Sequence, residues 1–397
     1  MEINGFLATA VRRIRSRTIQ RITTVAAADD RDFFHVALSM PEIIAEILIR
    51  LPVRSLLIFM CVSRSWRALI SDPIFIKMHL RASIQNKNYA HHRLIMNLVN
   101  RRLSLKSCPI SSVLHERSPV THTLDCPLLK DLNRSCSVSI VGSVNGLICI
   151  AVNDINLFIW NPATRKSKRL PHCGVRKHPG RYSYGFGYDE ASSDYKVVVI
   201  YSFISYQGSF VAEEKIYGLK SDKNCKFWRK IGNFPKGIPS DDSGKFVSGS
   251  LHWSNQTQNI VSFDVSKEIY SEISQPCCYE DRKGGLNPML GVLTGCLSLL
   301  YNFDQNQADI WVMKEYGKVE SWSKLFSIQS LHEQHACLRY SAPLFISRKN
   351  EVILLLGSQL VLYNIDSNSI VHPFIHNSLF GVHTYVESLV SPYLEDE

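Results

Sequence analysis

The sequence has no run of about twenty apolar residues, the length a membrane-spanning helix needs, and no stretch with the form of a secretory signal. It has no C-x-x-C pair either. Its eleven cysteines, an odd number, show no regular spacing, and the one adjacent pair is Cys277-Cys278. That pattern argues against a disulfide framework or a zinc site and for a reducing compartment, so the expected location is cytoplasmic, nuclear or both. The sequons at Asn133 and Asn255 carry no meaning without secretion.

Catalytic signatures are missing as well. There is no phosphate-cradling Gly-Lys-Ser/Thr loop and no Gly-x-Ser-x-Gly elbow for a serine nucleophile. His332 and His335 are three apart, whereas a zinc-protease helix needs them four apart. Gly185-Phe186-Gly187 begins like a dinucleotide loop, but no third glycine follows and the context is a strand. The acid pairs Glu213-Glu214 and Asp241-Asp242 read as loop charge, because adjacent acids on a strand would point to opposite faces. No catalytic, cofactor-binding or metal-ligating residue is assigned.

The net charge of +10 is unevenly placed: residues 1–110 hold 17 Lys and Arg against 7 Asp and Glu, and the remaining chain holds 28 of each. A nucleic-acid reading would also want aromatics interleaved with the basic residues or a known reader module, and neither is there. Arg12, Arg13, Arg15, Arg17 and Arg21 give the first thirty-five residues the character of a disordered basic tail, with a transit peptide as the alternative. Arg165-Lys166-Ser167-Lys168-Arg169 looks like an import tract, but it follows an Asn-Pro turn and reads as a solvated loop.

What is present begins near Met40. Ser39 and Glu42 have the form of a capping box, with Pro41 in the first turn. Ile43, Ile44, Ile47, Leu48 and Leu51 make one stripe, with Glu42, Glu46 and Arg50 opposite. Pro52 ends that helix. Leu56 to Val62 is then unbroken apolar sequence, a helix greasy on every face and too short to span a bilayer, so a partner must cover part of it.

From about Arg93 the chain turns to short β-branched and aromatic runs punctuated by Gly, Asn-Pro and Asp. Similar clusters start near Gly142, Gly185, Val247, Leu290 and Pro343, at spacings of 43, 62, 43 and 53 residues. Such periods suit propeller blades, about six in all, with an irregular β-sandwich as the alternative. Trp160, Trp253, Trp311 and Trp322 are placed as wedge-filling strand aromatics, and Asn145-Gly146 and Asn161-Pro162 as turns.

Pro41-Glu42, Glu46-Ile47-Leu48, Arg50-Leu51-Pro52-Val53, Ser55-Leu56-Leu57, Phe59, Cys61-Val62-Ser63, Ser65-Trp66 and Asp72-Pro73 together resemble an F-box. Ser39-Met40 stands where the pattern usually opens on Leu-Pro, and Ile58 and Met60 stand where many relatives carry Lys or Arg. Asn145-Gly146-Leu147, Trp160-Asn161-Pro162, Gly185-Phe186-Gly187-Tyr188-Asp189, Asp194-Tyr195-Lys196-Val197-Val198, Gly249-Ser250-Leu251-His252-Trp253 and Asp309-Ile310-Trp311 are similar to the F-box-associated domain of a large plant family often labelled kelch-repeat, although kelch double glycines are missing from the strands.

The resemblance implies an α+β multidomain chain, a small all-α F-box followed by an all-β propeller-like domain: tail 1–35, F-box 36–80, linker 81–92 and β-domain 93–392. It implies a non-catalytic substrate-recognition subunit of a Skp–cullin–F-box ubiquitin ligase, which binds a Skp-type adaptor, through it a cullin, and a protein target, with no nucleic acid and no membrane. Ile44, Ile47, Leu51, Pro52, Leu57, Ile58, Phe59 and Trp66 would carry the adaptor contacts, some of them as internal core. The other readings are an adaptor-bound scaffold that degrades nothing and a propeller-type glycan hydrolase. The target is not named by the resemblance.

Overall fold

The computed structural model describes residues 41–99, 103–126, 136–174, 179–204, 208–220, 227–232, 234–235, 237–255, 259–276, 288–303, 307–329, 342–375 and 379–393. The basic tail, the Ser39 half of the capping box, Cys277-Cys278 and the His332–His335 segment lie outside the described residues.

Four helices come first: α1 Pro41–Leu48, α2 Val53–Phe59, α3 Arg64–Ser71 and α4 Pro73–Ile84. Their boundaries follow from caps. Ser63 accepts from the Trp66 amide at 3.1 Å to open α3, and Asp72 accepts from the Ile74 and Phe75 amides at 2.7 and 3.2 Å to open α4, with Pro73 just inside it. The apolar run expected as one helix stops at Phe59; the Cys61 and Val62 amides reach back only three residues, to Ile58 and Phe59, so the last turn tightens and ends. Helix α4 runs on to Ile84, into the stretch read as linker.

The rest is β-structure apart from α5 (Ile110–His115) and one short 3₁₀ turn among the described residues. The strands are β1 His92–Val99, β2 Leu103–Pro109 and β3 His122–Thr123; β4 Val138–Val144, β5 Leu147–Val152, β6 Asn156–Trp160 and β7 Ser167–Arg169; β8 Gly180–Asp189, β9 Asp194–Ile204, β10 Phe210–Gly218 and β11 Arg229–Lys230. They continue with β12 Lys245–Val247, β13 Ser250–Ser254, β14 Ile260–Asp264 and β15 Ile269–Ile273; β16 Met289–Leu293, β17 Cys296–Phe303, β18 Gln307–Met313 and β19 Trp322–Gln329; and β20 Ala342–Ile346, β21 Glu351–Leu356, β22 Gln359–Asn364, β23 Ser369–Val371 and β24 Leu379–Val386. They form six antiparallel four-stranded sheets, the blades of a propeller rather than a sandwich.

Each of the five sequence clusters marks the innermost strand of a blade: β4, β8, β12, β16 and β20. The long spacing after Gly185 reflects β8, β9 and β10, which are 10, 11 and 9 residues long. The sixth blade is assembled from both ends of the ring. Strand β24 lies inside β1, with His92 opposite Val386, which closes the circle and removes the open edge. The Asn145-Gly146 turn carries φ of 54° and 82°, both left-handed, as a two-residue hairpin between β4 and β5 requires.

Aromatics fill the seams between blades. Trp160, Trp253 and Trp322 are buried in three separate apolar clusters, and the Trp253 indole N–H donates to the Tyr184 carbonyl of the preceding blade at 3.0 Å. Two readings need correction. Glu213 and Glu214 are not loop charge: they lie on β10, and Glu214 is buried between Ala212 and Ile216. Ser167–Arg169 of the basic tract is not a loop either but the outer strand β7, paired with β6.

Candidate functional site

The helical module has an inner and an outer surface. Leu48, Leu51, Val53, Leu56, Phe59, Ile70 and Phe75 form its core, and Phe59 meets Trp66 edge to face with ring centroids 5.4 Å apart. Of the eight residues expected to face a partner, Ile47, Leu51 and Phe59 are buried in this chain, so their surface is already spent. Ile44, Leu57 and Trp66 are half-buried against the same core, while Pro52 is exposed and Ile58 is 53 % exposed. The structure thus separates the eight into packers and presenters, a distinction helical periodicity cannot make.

It also adds presenters that the sequence reading left aside. Val62, in the turn after α2, is 56 % exposed, and Ile74 and Met78, one turn apart on α4, are 69 and 49 % exposed. Burying such side chains is worth about 1.5–3 kcal/mol each.

The module's other side is seated on the propeller. Leu389, just past β24, belongs to the helical core, and Ala163, in the β6–β7 loop, packs against it. Asn161 holds this seat together. Its Oδ1 accepts from the Ala163 and Thr164 amides at 2.9 and 3.2 Å, while its Nδ2 donates to the Ser388 and Val390 carbonyls at 3.0 and 2.7 Å. Beneath α4, His79 Nε2 donates to the Leu51 carbonyl at 2.9 Å and the ring meets His91 edge-on at 5.5 Å. Burial lowers the pKa of His79 and of His92, and burial together with the neighbouring imidazoles holds His91 down to about 4, so these three imidazoles are neutral at pH 7.

Among the described residues no three His, Cys, Asp or Glu side chains gather as a metal site, and no helix is long and apolar enough to cross a membrane.

The F-box domain family model matches residues 38–78, and the F-box associated beta propeller domain model matches residues 98–392. The chain belongs to the F-box proteins. An F-box/kelch-repeat protein of Arabidopsis thaliana is 35% identical over 366 residues, 88% of this chain and 95% of that one. The F-box protein CPR1 of the same plant is 30% identical over 356 residues, 82% of each chain. An oligogalacturonate lyase solved in complex with manganese shares 9% identity at a TM-score of 0.42, covering 71% of this chain and 78% of that chain, a likeness too slight to bear on chemistry.

In this F-box protein, then, the helical module is the F-box and the ring is the F-box-associated propeller. The seat at Asn161, Ala163 and Leu389 joins the two. Leu389 sits more than three hundred residues from the F-box helices it completes, so nothing local in the sequence marks it.

Proposed function

We propose that this F-box protein is the substrate-recognition subunit of a Skp–cullin–F-box ubiquitin ligase: the F-box docks a Skp-type adaptor and through it a cullin, and the propeller holds a protein target for ubiquitination. The observation that carries the reading is the division of the F-box surface. One side is consumed by the seat on the propeller, while Ile58, Val62, Ile74 and Met78 project apolar surface that the described residues leave exposed. The positive charge of residues 1–110 favours approach to an acidic partner. On this reading the chain performs no bond chemistry, and its contribution to rate is to hold the target near the ubiquitin-carrying enzyme. We place its work in the cytoplasm or nucleus, in keeping with the free thiols of Cys61, Cys108, Cys149 and Cys173.

The test is adaptor capture by the full chain and by Ile58→Asp with Val62→Asp. These positions are more than half exposed, so the fold tolerates the change, whereas Leu51→Ala would damage the F-box core instead. The wild type should bring down adaptor and cullin, and the double variant at least about tenfold less, the loss of roughly one apolar contact. A wild type that captures neither, or a variant that captures both equally, overturns the proposal. A captured target whose half-life lengthens on proteasome inhibition separates a ligase receptor from a scaffold.

A further inference from the structure

Along the propeller axis the innermost strands line a partly open cavity of about 170 Å³. Its polar lining is Ser143 on β4, Lys245 on β12, and His383 and Thr384 on β24; the remaining lining residues are apolar or glycine, and no carboxylate is among them. A single water needs about 10–15 Å³. The space therefore suits several waters or one small oxyanion.

The charge balance in the cavity is lopsided. Among the described residues Lys245 makes one hydrogen bond through its ammonium, a long one of 3.5 Å to the Ser243 hydroxyl, and no ion pair. The two acids that act on it from a distance, Asp241 and Asp242, are committed elsewhere. Asp241 Oδ2 accepts from the Ser254 amide at 2.6 Å, and Asp242 is paired with Arg181 at 2.7 Å. Burial lowers the Lys245 pKa, and burial with the nearby Lys245 charge holds His383 down to about 3. Two groups able to carry positive charge thus line one cavity, and among the described residues the Ser243 hydroxyl is the one hydrogen-bond partner of either; a cation withdrawn from water is costly unless it is paired.

We propose that the axial cavity is a binding site for a small oxyanion of the phosphate class, with the Lys245 ammonium and the His383 imidazole as its donors and the Ser143 and Thr384 hydroxyls beside them. Strands β4, β12 and β24 belong to three different blades, so a bound anion ties the ring together at its centre. The site is independent of the F-box and of adaptor docking.

The test is calorimetric titration of the full chain with inorganic phosphate at constant ionic strength held by chloride. Saturable binding is expected, weakened at least about tenfold by Lys245→Met and by His383→Gln, together with a phosphate-dependent rise in melting temperature in the wild type alone. If either variant folds poorly, the imidazole resonance of His383 in ¹³C-histidine-labelled wild type provides the second readout, and it should move on titration. Glycerol 3-phosphate forms a second arm: its binding points to a phosphate ester as the natural source, its exclusion to free phosphate. No saturable phosphate binding by the wild type, or equal affinity in both variants, overturns the proposal.

Discussion

Glu214→Gln tests the reading of the seam between the β8–β11 blade and the β12–β15 blade. Glu214 is buried in a cluster that includes Ala212, Ile216, Trp253 and Phe263, and its Oε2 accepts from the Tyr270 hydroxyl at 2.5 Å. Burial raises its pKa from 4.5 to about 7, against the lowering effect of the Tyr270 and Phe234 hydrogen bonds. The folded protein therefore holds a proton that the unfolded chain releases near pH 4.5. Where the folded state binds more protons, stability falls as pH rises, so this group's stabilising contribution is complete below about pH 4.5 and is lost as pH passes about 7. At about 1.4 kcal/mol for each tenfold change in proton affinity, the loss amounts to about 3 kcal/mol. Glutamine keeps the shape and cannot ionise. Urea unfolding of both proteins from pH 5 to 8 should show the variant gaining on the wild type by up to that amount. Histidines and other acids contribute equally to both proteins and cancel in the difference. A difference that stays constant across this range would refute the reasoning.

Leu389→Ala removes a buried side chain from the F-box seat and should cost about 2–5 kcal/mol there, seen as faster proteolysis between the F-box and the propeller while the blade cores melt as before. Gly146→Ala should destabilise the ring by more than about 1 kcal/mol, because φ is +82° and a Cβ would lie 2.6 Å from the Val386 carbonyl; an unchanged melting temperature would contradict this. Lowering the pH from 7 to 5 should loosen the seat, because His79, His91 and His92 are held neutral when folded and gain protons more readily when released. Hydrogen exchange at Glu387–Val390 should speed up accordingly, and exchange indifferent to pH, after correction for intrinsic rate, would count against it.

How far the sequence could be read depends on the range of the interaction. Blade order was legible because each inner strand opens a local unit bounded by turn residues, and Gly142, Gly185 and Leu290 all fall on inner strands. Ring closure was not, since the pairing of His92 with Val386 leaves no local pattern at either end. Glu214 could have been found. Ala212, Glu214 and Ile216 alternate on the buried face of β10, a period of two that outweighs the polarity of one residue. In the F-box, periodicity located the apolar stripes correctly, but Ile47 and Ile58 look equally apolar in sequence, and the fold alone shows that one packs and the other presents.

The seat also has an order in time. Synthesis delivers the F-box helices first, yet Leu389, the Ser388 and Val390 carbonyls bound by Asn161, and the closing strand β24 leave the ribosome last. Until then the F-box core lacks Leu389 and has nothing to stand on. A chain cut short before residue 379 would carry a free F-box on an open ring, able to occupy an adaptor without holding it at a defined angle to anything else. Completion of the last blade is therefore the step that turns an adaptor-binding tag into an oriented receptor.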